Sequence, residues 1–236
     1  MLVVRLSLPF SVPIIACAPE YTSVDDNFVV RLQNVDPSGF YARAADADSA
    51  AESVNGVTIR CIAIEEGVYT MEADGVKMEV VTYESSSVGK KLTYNGDSRT
   101  YANSYTSPVV VGQIQTDNDD GFQVFFSRGA TRQDPPSSST LVVGRSVGEA
   151  GTNPAAETVG YIVFEAGEGT INGLGYAAGL EMGASASWVD GNTGTITFGV
   201  AGFTSAEVAV LSSAGFIGGD GTWPVIVGDS VSVTSV

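Results

Sequence analysis

Apolar and polar positions alternate along this chain with the period of a strand. Phe28, Val30 and Leu32 alternate with Val29, Arg31 and Gln33, and Ile196, Phe198 and Val200 alternate with Thr and Gly. Segments of about four to eight residues rich in Val, Ile, Thr, Phe and Tyr stand between turn clusters. Asp36-Pro37-Ser38-Gly39, Ala73-Asp74-Gly75 and Asn95-Gly96-Asp97 are such clusters, each offering the residues that tight turns demand. No long window shows a helical apolar stripe with caps. The pattern predicts an all-β chain of antiparallel strands, arranged as a sandwich or barrel.

The pattern also repeats, roughly a hundred residues apart. Ala50-Ala51-Glu52-Ser53-Val54 returns as Ala155-Ala156-Glu157-Thr158-Val159, and Ile62-Ala63-Ile64-Glu65-Glu66-Gly67 as Ile162-Val163-Phe164-Glu165-Ala166-Gly167. Upstream, Phe10-Ser11-Val12-Pro13-Ile14-Ile15 matches Tyr105-Thr106-Ser107-Pro108-Val109-Val110. The order is kept in both halves, so the expected organisation is two tandem antiparallel sandwich units, residues 1–92 and 93–195. Residues 196–236 read as an incomplete third repeat. Its acidic turn and aromatic strand, Asp220-Gly221-Thr222-Trp223-Pro224-Val225, match Asp26-Asn27-Phe28-Val29-Val30 and Asp120-Gly121-Phe122-Gln123-Val124. The Pro/Ser loop from Arg132 to Ser139 has no counterpart in the first repeat. Because Phe10 to Ile15 recur in mid-chain, residues 1–18 read as strands of the first unit and not as a targeting signal.

Composition narrows the chemistry. Hydrophobic residues make up 44% and charged residues 16% of the 236, which describes a packed globular chain. A formal net charge of −16 repels phosphate backbones and anionic lipid, so neither nucleic acid nor membrane insertion is expected. The chain has no His, which removes Ser-His-Asp and Cys-His nucleophile systems and His-ligated zinc. Glu52 and Glu157, with Glu65 and Glu165, are duplicated carboxylates. Strand-end acids accepting backbone N–H bonds explain that duplication better than a glycosidase pair repeated in every unit. Asp117-Asn118-Asp119-Asp120-Gly121 lacks the spacing of an EF-hand loop and reads as a solvated turn, so no metal and no cofactor are expected.

Cys17 and Cys61 are peculiar to the first repeat, since the second has Gly112 and Tyr161 there. Two cysteines arising together point to a bond between neighbouring strands in an oxidising compartment, with a pair of buried free thiols as the alternative. Phe28, Phe122 and Trp223 beside acidic turns are either core residues or sugar platforms. Trp223, next to Pro224 in a Gly-rich stretch, is the aromatic best placed for exposure.

These blocks resemble repeats of large bacterial and algal surface proteins, which are similar to the H-type lectin domain. Ser107-Pro108-Val109-Val110-Val111-Gly112-Gln113, the turn from Asp117 to Gly121, and the strand from Glu157 to Gly167 carry the resemblance in the second unit. Pro13, Asp26, Arg31, Asn34-Val35, Gly39-Phe40 and Ile62-Ala63 carry it in the first. It implies a lectin-like, jelly-roll-like antiparallel sandwich, assembly into oligomers, and carbohydrate contacts at Asp26 and Arg31. Asp120 and Trp223 join these as the glycan-binding candidates of the later repeats. A His usual before the Glu-Thr-Val block is replaced here by Pro154-Ala155-Ala156.

The resulting expectation is a non-catalytic extracellular or cell-surface protein with a structural or adhesive role. It would self-assemble into a filament or array by strand addition through residues 201–236, and bind glycans. The alternative is a virion or appendage subunit acting by assembly alone; an accessory module of a polysaccharide-active enzyme ranks third.

Overall fold

The computed structural model describes residues 2–21, 28–47, 53–119, 121–148, 155–180, 208–216 and 223–227. It is all-β and sandwich-like. The first repeat forms β1 (Leu2–Arg5), β2 (Pro13–Tyr21), β3 (Phe28–Asp36), β4 (Gly39–Asp46), β5 (Ser53–Val54), β6 (Thr58–Glu65) and β7 (Gly67–Tyr69). A single helical turn, α1 (Met71–Asp74), follows, with the Thr70 hydroxyl accepting from Ala73 N and Gly75 closing it at φ 72°. Then come β8 (Met78–Ser85) and β9 (Val88–Gly89). The second repeat forms β10 (Asp97–Arg99), β11 (Pro108–Ile114), β12 (Val124–Arg128), β13 (Leu141–Ser146), β14 (Glu157–Glu165), β15 (Gly167–Ile171) and β16 (Leu174–Ala178). Two short strands, β17 (Ser213–Ala214) and β18 (Ile226–Val227), complete the described elements.

The repeats fold alike. Pro13 opposes Glu65 across β2–β6 as Pro108 opposes Glu165 across β11–β14, and Cys17 opposes Cys61 as Gly112 opposes Tyr161. The outer sheets also match, β1-β4-β3 in one repeat and β10-β13-β12 in the other.

Four layers result. In the first sandwich Ile15, Cys17, Val30, Leu32, Phe40 and Ala42 pack between the β1-β4-β3 sheet and the β18-β2-β6 sheet. In the second, Val110, Val159, Tyr161 and Val163 meet Phe125, Leu141 and Val143 between β11-β14-β8-β7 and the β12–β13 sheet. A third apolar layer joins the sandwiches: Ile14, Ala16, Ile62 and Ile64 lie against Val109, Val111, Ile162 and Phe164, with Met78 and Val80. These are equivalent faces of the two repeats, so the sandwiches pack back to back. The inner strands are therefore covered on both sides, which is why Ile14-Ile15-Ala16-Cys17 and Tyr161-Ile162-Val163-Phe164 are continuous apolar runs.

β8 lies in the first ninety-two residues of the sequence, yet it pairs with β14 from Met78↔Phe164 to Ser85↔Glu157. The last strands of the first repeat, β7 to β9, thus belong to sheets of the second. The described parts of the C-terminal segment also rest on this chain: β17 runs parallel to β12, and β18 parallel to β2. Phe216 is buried against Tyr94, their ring centroids 3.6 Å apart, and Arg132 of the Pro/Ser loop donates to the Phe216 carbonyl at 3.0 Å. Residues 201–207, 217–222 and 228–236 lie outside the described residues.

Candidate functional site

The polar residues of the two repeats converge where β3 meets the acidic turn after β11. Arg31, on β3, is fully buried. Its Nη2 lies 2.6 Å from Asp117 Oδ1 and 3.4 Å from Glu157 Oε1, and it donates to the Asp119 carbonyl at 3.1 Å. Nη1 donates to the Gly121 carbonyl. Asp117 also takes Arg43 Nη2 at 3.0 Å and Gln33 Nε2 at 2.7 Å. Glu157 accepts from Asn118 N at 3.0 Å, Thr116 Oγ1 at 2.5 Å and Gln123 Nε2 at 3.4 Å. Arg145, buried on β13, extends the network through Gln123 Oε1 at 2.7 Å and the Ala155 carbonyl. Desolvation lowers the Arg31 pKa, and the carboxylates of Asp117 and Glu157 oppose that shift.

Two amides tie the layers further. Gln113 Nε2 donates to the Val30 carbonyl at 2.8 Å, and Gln115 holds the backbone of Ile15 through both ends of its amide. Each buried charged or amide side chain of this network thus meets a protein partner, as burial requires, although Arg31 Nε itself has no hydrogen-bond acceptor among the described residues. Chemically, the arrangement fixes the sandwiches to one another.

The strand-end glutamates behave alike in both repeats. Glu65 accepts from Ser11 N and Val12 N, both at 2.8 Å; Glu165 accepts from Ser107 N at 2.7 Å and Thr106 N at 3.1 Å. Burial alone would raise the Glu165 carboxyl, but hydrogen bonds from Lys77, Ser107 and Thr106 outweigh it and hold its pKa below the usual carboxylate range. The phenols of Tyr83, Tyr101 and Tyr105 are pushed above the ordinary tyrosine range by desolvation.

Trp223 is half-buried. Its Nε1 donates to Tyr21 Oη at 3.2 Å, its ring lies 4.9 Å from that of Phe122, and it packs with Val29 and Ala45. Phe28 is buried beside Tyr21. Cys17 and Cys61 are bonded to each other, across directly opposed positions of β2 and β6. Asp26, Asp120 and Glu52 lie outside the described residues. Among the described residues no group of three or more acids, Cys or His is placed to hold a metal, and no helix is long and apolar enough to cross a membrane. A cavity of about 50 Å³ beside Cys17, Gly112, Phe125, Ser212 and Trp223 has room for a water or two and not for a sugar ring.

The sequence pattern singled out Arg31 and Glu157 but missed Asp117 as their partner, and missed Gln33, Arg43, Gln113, Gln115 and Arg145. A signal existed: Arg43 and Arg145 interrupt the apolar runs Ala42–Ala45 and Leu141–Val147, where a polar residue needs a buried partner. Comparison with protein-family models, with curated proteins and with solved structures gave no match for this chain.

Proposed function

We propose that this is a non-catalytic structural or adhesive protein of the cell surface or extracellular space, acting through self-association. One observation carries the reading. The carboxylates that recur in both repeats, Glu65 and Glu165, are occupied by backbone N–H groups at equivalent strand ends, and Glu157 by Arg31, Asn118 and Thr116. Acids engaged this way shape the repeat and are not poised to move protons on a substrate. The Cys17–Cys61 bond supports an oxidising compartment, and the net charge of −16 argues against nucleic acid.

Electron microscopy and sedimentation of the purified chain, together with a glycan array and a polysaccharide hydrolysis assay, test the proposal. Ordered polymers or higher oligomers without turnover are expected. Measurable hydrolysis that disappears in Glu157→Gln or Glu165→Gln overturns it. Glycan retention reduced by changing Trp223, Asp26 or Asp120 would support the adhesive form. Assembly with no glycan retention favours the alternative, a virion or appendage subunit acting by assembly alone.

A further inference from the structure

The two repeats differ at one sheet edge. β14 is flanked by β11 on one side and β8 on the other, whereas β6, its counterpart, is flanked by β2 alone among the described residues. The consequence is visible in burial: Ile162 and Phe164 on β14 are buried, and Ile62 and Ile64 at the same repeat positions are half-exposed. Among the described residues no strand takes the place there that β8 takes on β14.

The chain contains a second strand of the β8 kind. β7 pairs with β8 through Gly67↔Val80 and Tyr69↔Met78, and β15 pairs with β16 through Gly167↔Ala178 and Gly169↔Tyr176. β16 is therefore the repeat counterpart of β8, with Tyr176 in the place of Met78 and Ala178 in the place of Val80. Met78 and Val80 are each 1% exposed, while Tyr176 and Ala178 are half-buried. Beyond β15, β16 has no strand neighbour among the described residues. Within one molecule Tyr176 and Ala178 rest on the same apolar layer as Ile62 and Ile64, yet β16 does not pair with β6. The β16 sequence, Leu174-Gly175-Tyr176-Ala177-Ala178, carries no charge and no Pro to block edge pairing.

We propose that β6 of one molecule is completed by β16 of a second copy, in the register that β8 adopts on β14. Tyr176 would then oppose Ile64, and Ala178 would oppose Ile62, antiparallel, with their side chains on the face that already packs at the sandwich junction. Each copy offers one donor strand and one acceptor edge, so the contact links chains by strand addition.

The inference rests on the assembly reading, and two measurements on the full chain separate them. Sedimentation velocity over a range of concentrations reports self-association. Benzoylphenylalanine in place of Tyr176, irradiated in a mixture of isotopically light and heavy chains, reports which edge is touched and by which chain. Oligomers and mixed-isotope crosslinks to residues 62–64 are expected. The same group at Leu174, 74% exposed, guards against disturbance of the Tyr176 contact with Phe164. Oligomers with crosslinks only within one chain, or to another surface, overturn this edge while leaving assembly standing. A chain that sediments as a monomer at all concentrations overturns both.

Discussion

The side chain of Gln115 treats the backbone of Ile15 as a neighbouring strand would: its Oε1 accepts from Ile15 N at 3.0 Å and its Nε2 donates to Ile15 O at 2.8 Å. One amide from the second sandwich thereby satisfies two backbone groups on an inner strand of the first. Gln115→Leu should leave both Ile15 groups buried without partners and cost about 1–3 kcal/mol. Gly160 lies directly against this contact, and a Cβ there would fall 2.7 Å from Ile14 Cγ2 and 2.9 Å from the Gln115 amide. Gly160→Ala should also destabilise, by about 1–3 kcal/mol. Denaturant unfolding of both variants checks this.

Arg31 carries the heaviest electrostatic consequence. Arg31→Met leaves Asp117 and Glu157 buried without their shared cation, at a cost of about 3–5 kcal/mol. Arg31→Met with Asp117→Asn should lose less than the sum of the two single changes, because each single change already breaks the Arg31–Asp117 pair. A double-mutant cycle by chemical denaturation reads the coupling.

The disulfide closes a loop with a sequence separation of 44. Chain-entropy arithmetic for such a loop gives about 4 kcal/mol of stabilisation, so reduction should lower the melting temperature and Cys17→Ser with Cys61→Ser should reproduce the loss. The unreduced, denatured protein should yield no thiol to a blocking reagent, whereas two equivalents would contradict the bond.

Acid and alkali should each weaken the fold through different groups. The Glu165 carboxyl titrates lower folded than unfolded, so its contribution is present above the ordinary Glu value and is lost as pH falls through the folded value. Glu165→Gln should flatten that part of the stability curve. Tyr83, Tyr101 and Tyr105 titrate higher folded than unfolded. Their contribution is complete below the unfolded tyrosine value, about 10, and is lost as pH rises through the folded values. Phenolate absorbance should therefore show these three ionising together with loss of structure and not before it.

Phe216 anchors the described C-terminal segment by stacking on Tyr94 and meeting Phe126 edge-on. Phe216→Ala should cost about 3–5 kcal/mol, measured by thermal or denaturant unfolding. An unchanged midpoint would show that the segment does not stabilise the second sandwich.

Strand periodicity, turn residues and the hundred-residue repeat were legible because they are local or depend on comparing the chain with itself. The role of Glu65 and Glu165 was legible for the same reason: a carboxylate at equal repeat positions points to something each unit needs, and each unit has free N–H groups at the start of its first inner strand. Repeat alignment marked Cys17 and Cys61 as peculiar to one copy and pointed to a bond between neighbouring strands; their directly opposed register is seen only in the structure. Asp117, Gln113 and Gln115 were not legible, since an acid or amide in a turn or at the end of a strand reads as solvated until another sheet covers it.

What the sequence alone determined is the all-β character and the duplicated unit, because alternation, turn chemistry and self-similarity act over a few residues or between like segments. What the tertiary structure decided is how the units are joined. Equivalent apolar faces could have been left to separate partners, but Ile14, Ile62, Ile162 and Phe164 share one layer, and β8 crosses into the sheet of the second repeat. No local pattern encodes that choice. It is set by which exposed edge and which apolar face find each other once both sandwiches exist, and by the burial of Arg31 against Asp117, on a strand and a turn that lie far apart in the chain.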